Sequence, residues 1–199
     1  MIITTFPHRI KIDNILNKLP NDTCGTASAC IVFEKFGLTL DYNEFIKKAR
    51  DGISTVEYPV AGSNVFGTAL AIASTDLVDV EVYIDFDINN EYGTLDEYEK
   101  PIIDELKLLR NITIQPSISI EEINNKLSDE CIPIMAFNPN GNPSNGHFSP
   151  LRGLNAGKIL LFPLDAAGES CDCFIDEFVK TWWTKDSLRP CIFVRKRKN

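Results

Sequence analysis

Asp22-Thr23-Cys24-Gly25-Thr26-Ala27-Ser28-Ala29-Cys30-Ile31-Val32-Phe33-Glu34-Lys35-Phe36-Gly37 is the stretch from which the fold is read. Ala27, Ala29, Cys30, Ile31, Val32, Phe33 and Phe36 make it apolar on almost every face. A helix of that kind is buried on most sides. Asn21 or Asp22 is suited to cap its start, and Gly37 is a good C-terminal stop. The pattern predicts a central helix reaching about Gly37, with a thiol in its first turn.

Outward from it, the first half reads as mainly helical. A second helix is expected over 41–49, with Tyr42, Phe45 and Ile46 on one face. Residues 65–74 read as a helix of small residues suited to close packing. In 78–84, Val78, Val80, Val82 and Ile84 alternate with Asp79, Glu81 and Tyr83, the period of a half-buried strand. Residues 85–97 read as an acidic loop and 99–109 as a helix. Ser119 and Glu122 have capping-box spacing and open a helix to Leu127. The second half reads as strands. They are expected over 132–137, 147–154, 158–164 and 191–194, with a surface loop over 138–146. Asn155-Ala156-Gly157 is a hairpin signal. A short helix over 176–183 carries Phe178, Trp182 and Trp183 as anchors. Helices first and antiparallel strands later predict an α+β domain, a helical lobe packed on a sheet.

At 199 residues the chain is expected to form a single domain, 1–199, able to bury a core without disulfide staples. A net charge of −8 argues against a nucleic-acid surface. The basic run Arg195-Lys196-Arg197-Lys198 reads as a solvated tail. No signal-peptide pattern and no membrane-spanning apolar stretch are seen, so the expected setting is cytoplasmic. The six cysteines then read as reduced thiols. Cys171-Asp172-Cys173 has no second Cys/His pair nearby, so neither a metal nor another cofactor is expected. Nothing in the pattern fixes an oligomeric state.

A thiol in the first turn of a helix sits where the dipole and unpaired N–H groups favour the thiolate. Gly25 leaves room beside it for a substrate carbonyl. Gly146-His147-Phe148 follows far downstream, placing an imidazole at the start of a strand directly after a Gly/Asn/Pro loop. His8, the other histidine, has no acidic partner at matching spacing. Asp165 ends the second hairpin strand, and a hairpin sets its start beside its end. His147 and Asp165 are therefore expected side by side, imidazole against carboxylate. Cys, His and Asp in this order suit a cysteine-hydrolase triad. Each also has a plainer reading: Cys24 as packing, His147 as a structural histidine, Asp165 as a turn residue.

The run from Asp22 to Ala29, with His147-Phe148 and Asp165-Ala166, resembles the papain-like cysteine peptidases. The nearest branch holds the bacteriocin-processing peptidase domains of ABC exporters and their stand-alone relatives. Ile120-Glu121-Glu122-Ile123-Asn124-Asn125-Lys126-Leu127, Ile132-Pro133-Ile134 and the segment from Asp176 to Trp182 resemble further elements of that branch. The likeness omits roughly 51–110. It implies a two-lobed papain-like fold, with Cys24 as nucleophile, His147 as base and acid, and Asp165 as orienting carboxylate. It implies a peptide or acyl-amide substrate. The family places Gln six residues before the nucleophile, as an oxyanion donor; here that position is Lys18. Asn21 and Asn17 are candidate substitutes, neither at the matching spacing, with Gly25 and Gly146 beside the substrate path. Thr26 replaces the family Pro or Ala, and Ala166 the family Pro. Hydrolysis, acyl transfer to an amine and non-catalytic peptide binding all stay open. The acidic residues Asp79, Glu81, Asp85 and Asp87 either select basic substrates or form a solvated surface.

Overall fold

The computed structural model describes residues 2–7, 9–19, 23–49, 63–85, 97, 99–138, 146–162, 172–182 and 189–197. In chain order the elements are β1 (Ile2–Ile3), α1 (Arg9–Leu16), α2 (Cys24–Phe36), α3 (Tyr42–Ala49) and α4 (Val65–Ser74). Then come β2 (Val78–Tyr83), α5 (Glu99–Leu108), β3 (Ile112–Gln115), α6 (Ile120–Lys126) and β4 (Cys131–Phe137). The chain continues through β5 (His147–Asn155), β6 (Lys158–Leu161), β7 (Cys173–Phe174), α7 (Ile175–Thr181) and β8 (Cys191–Lys196).

The strands form one sheet in the order β3-β2-β8-β4-β5-β6-β7, with β1 paired to β5 off this path. The architecture is α+β, as expected, and all described pairings are antiparallel except β2 with β3. That parallel pair needs a crossover, which α5 supplies. The separation into a helical half and a strand half is therefore only approximate. β2 comes from the helical half yet pairs with β8, the last strand.

Burial explains the element types. β4 is buried at every residue, and β8 from Cys191 to Val194. Strands covered on both faces read as unbroken apolar runs rather than as alternation. β2 is covered on one face, with Val78, Val80 and Val82 buried between half-buried residues. α2 and α4 lie against the sheet and against each other. Gly37 closes α2 in the left-handed region at φ 71°, where glycine carries no Cβ penalty. The capping box of α6 is formed as expected. Ala156 and Gly157, at φ 49° and 76°, make the two-residue turn between β5 and β6.

Two expectations are corrected. The N-cap of α2 is Thr23, with no side-chain capping bond; Asn21 and Asp22 lie outside the described residues. As far as Arg197 the basic run is not a solvated tail; Lys198 lies outside the described residues. Arg195 and Lys196 belong to β8, the Lys196 ammonium donates to the Phe36 carbonyl, and Arg197 pairs with Asp76 and Asp79. The helix C-terminus and two carboxylates give these cations partners that water alone would otherwise supply. Among the described residues no helix is long and apolar enough to cross a membrane.

Candidate functional site

α2 packs across β5, and its C-terminal end is fastened at several points. Lys35 donates to the Thr5 carbonyl at 2.6 Å and pairs with Asp129 at 2.7 Å. The neighbouring Thr4 N–H donates to Arg152 of β5 at 2.7 Å. Phe36 is held by Lys196, at the end of β8. α2, which Cys24 opens, thus packs on the strand that His147 opens, with its C-terminal end near Arg152.

Cys24 is half-buried. Its Sγ lies 3.7 Å from the hydroxyl of Ser63, and that hydroxyl accepts the Gly25 N–H at 2.7 Å. Ser63 thus supplies the first turn of α2 with the cap that Thr23 does not. The approach depends on Gly25. A Cβ there would stand 2.4 Å from Thr68 Oγ1 and 2.8 Å from Ser63 Oγ. Cys173 is also half-buried, whereas Cys30, Cys131 and Cys191 are buried. Burial pushes the thiols of Cys131 and Cys191 up, Cys191 the more strongly. A raised, buried thiol is protonated and inert at neutral pH.

His147 is half-buried, opposite Phe137 of β4, with the two rings edge to face at 5.6 Å. Phe137 in turn packs, tilted, at 5.5 Å from Phe178 of α7, so the imidazole borders a small aromatic cluster. Gly146, exposed, precedes it. β6 is described to Leu161, followed by Phe162, whose carbonyl accepts the buried Ser149 hydroxyl at 2.6 Å. Asp165, the third sequence candidate, lies outside the described residues, as do Asn21, His8 and Cys171. Lys18 is exposed, its ammonium 5.9 Å from the centroid of the Tyr42 ring at the start of α3. Ser63 was missed by sequence reasoning: a serine before a capping asparagine carries no signal of a neighbour 38 residues away.

The acidic residues of β2 are not an open acidic surface. Glu81 binds Lys126 and Arg195 and accepts the Tyr83 hydroxyl, and Asp79 binds Arg197. Asp87 lies outside the described residues.

No protein-family profile matches the chain, and no curated protein does. Solved structures do. The peptidase domain of Streptococcus ComA, a bifunctional ABC transporter of a quorum-sensing pathway, superposes with a TM-score of 0.50 at 12% identity, over 90% of this chain and 95% of that one. A double-glycine-motif protease from an AMS/PCAT transporter, solved with its leader peptide, superposes with a TM-score of 0.50 at 12% identity, over 98% and 95%. The fold is therefore the papain-like fold of these peptidase domains.

Proposed function

We propose that this protein is a cysteine-dependent hydrolase of peptide or other amide bonds, with Cys24 as nucleophile, His147 as general base and acid, and Asp165 as orienting carboxylate. The observation that supports the reading is a half-buried thiol in the first turn of α2, the helix packed on the strand that His147 opens, in a fold shared with peptidase domains. Asp165 is proposed by counting. Leu151 pairs with Leu161; His147 lies four residues before the first and Asp165 four after the second.

In this reading the Cys24 proton passes to His147 and the sulfur attacks the substrate carbonyl. The imidazolium then protonates the departing amine as the C–N bond breaks, leaving a thioester. His147 next takes a proton from water, whose oxygen attacks the thioester and releases acid and thiol. An amine in place of water gives acyl transfer through the same residues. The structure solved with a leader peptide supports a peptide as substrate. Lys18, Asn21, Gly25 and Gly146 remain candidates for the oxyanion and substrate contacts.

Mass spectrometry of a peptide library incubated with the chain, with and without an added amine, tests the reaction. Cleavage products that vanish in Cys24→Ala are expected, and amide products with the amine identify transfer. Iodoacetamide at neutral pH is expected to label Cys24 well before Cys173. Cleavage that survives Cys24→Ala, or peptide bound intact by wild type whose Cys24 labels no faster than Cys173, overturns the proposal.

A further inference from the structure

We propose that Ser63 is a positioning residue for the nucleophile: its hydroxyl, oriented by the Gly25 N–H, donates its own proton to the Cys24 sulfur and stabilises the thiolate. The inference rests on the nucleophile reading of Cys24. Among the described residues, the polar contacts of Ser63 Oγ are Gly25 N–H at 2.7 Å and Cys24 Sγ at 3.7 Å. A hydroxyl that accepts a backbone N–H keeps its hydrogen for another acceptor. When Cys24 is a thiol, the S–H points to Ser63 Oγ; when it is a thiolate, the O–H turns to sulfur. A hydrogen bond made to the charged form favours that form.

The hydroxyl is well held. The next residue, Asn64, caps α4 by accepting the N–H groups of Phe66 and Gly67 at 2.8 and 3.1 Å. Its amide donates to Glu99 of α5 at 3.1 Å. One turn into α4, the fully buried Thr68 presses against Gly25. The first turns of α2 and α4 thus meet at the thiol, and Ser63 is the side chain their meeting directs onto sulfur. A donor fixed in advance costs no reorganisation when charge forms.

The test is the pH–rate profile of Cys24 alkylation by iodoacetamide in the full chain, resolved by peptide mapping. Wild type is expected to alkylate with a midpoint below that of an ordinary thiol. Ser63→Ala is expected to raise the midpoint, slowing alkylation below it about tenfold, and Ser63→Thr to restore it. A cap alone would alter stability and leave the midpoint in place. Should Ser63→Ala fail to fold, Ser63→Cys keeps an uncharged side chain of similar size, exchanges the O–H donor for a weak S–H and is expected to raise the midpoint. A lowered wild-type midpoint that Ser63→Ala, or failing that Ser63→Cys, leaves unmoved overturns the role of Ser63 alone. An ordinary wild-type midpoint overturns the nucleophile reading and the role of Ser63 with it.

Discussion

Gly25 shows how one missing side chain sets the site. Its position beside the thiol is legible in sequence, where it reads as space for a substrate carbonyl. The reason visible in the fold is a packing one: α4 comes so close that a Cβ would meet Thr68 Oγ1 at 2.4 Å and Ser63 Oγ at 2.8 Å. Both neighbours are short side chains, and Thr68 is fully buried, so neither can swing clear. Gly25→Ala is expected to lower stability by about 1–3 kcal/mol, the usual cost of overpacking. It is also expected to push Ser63 off the Gly25 N–H and slow Cys24 alkylation. Urea unfolding and alkylation rates measure the two effects, and wild-type values in both would refute the packing account. Ser63 itself was illegible because side-chain proximity between distant segments leaves no periodic trace.

Among elements, legibility follows burial. α2 and α4 are apolar all round, and β2 alternates, so their place in the core is written in their pattern. The capping box of α6 was legible because its chemistry is local. β1 and β7 have two residues each, too few to show a period, and exist because a longer strand pairs with them. β3 is four residues long and half-exposed, too short for the alternation of Ile112 and Ile114 with Thr113 and Gln115 to stand out, and β2 holds it in register. α1 shows neither an acidic first turn nor a basic last one. The small residues of α4 suit close packing, and Gly67 is where that packing is closest. A Cβ there would meet the Ala49 carbonyl oxygen of α3 at 2.3 Å. The obstacle is backbone, which cannot rotate aside, so α3 and α4 would have to separate. Gly67→Ala is therefore expected to destabilise by at least about 1–3 kcal/mol despite alanine's higher helix propensity. A thermal melt of this variant at or above the wild-type midpoint would rule out the close crossing.

Over the whole molecule, the last strand lies between β2 and β4, so the early and late parts of the chain close on each other. Glu81 marks that closure. It stands on β2 and binds Lys126 at the end of α6 at 2.5 Å and Arg195 of β8 at 3.4 Å, and Tyr83 donates to it at 2.8 Å. Burial alone would raise its carboxyl, but the bonds from Lys126, Tyr83 and Arg195 outweigh burial and hold it below the usual carboxylate range. Burial alone would lower the Lys126 ammonium, and the bonds to Glu81 and Tyr83 outweigh that and raise it. In the unfolded chain a glutamate titrates near about pH 4.3 and a lysine near about 10.4. A carboxyl depressed by folding contributes fully above its unfolded value and loses that contribution as pH falls through its folded value. An ammonium raised by folding contributes fully below its unfolded value and loses it as pH rises through its folded one. The cluster thus supports a plateau of stability bounded by an acid limb and an alkaline limb. Glu81→Gln is expected to lower the plateau and to make the acid limb below about pH 4.3 shallower, because one carboxylate fewer must be protonated there. The alkaline limb should soften too, since Lys126 loses the partner that raises it. Urea midpoints measured across pH give both slopes, and a variant whose acid limb keeps the wild-type slope would show that folding does not depress the Glu81 carboxyl through this cluster.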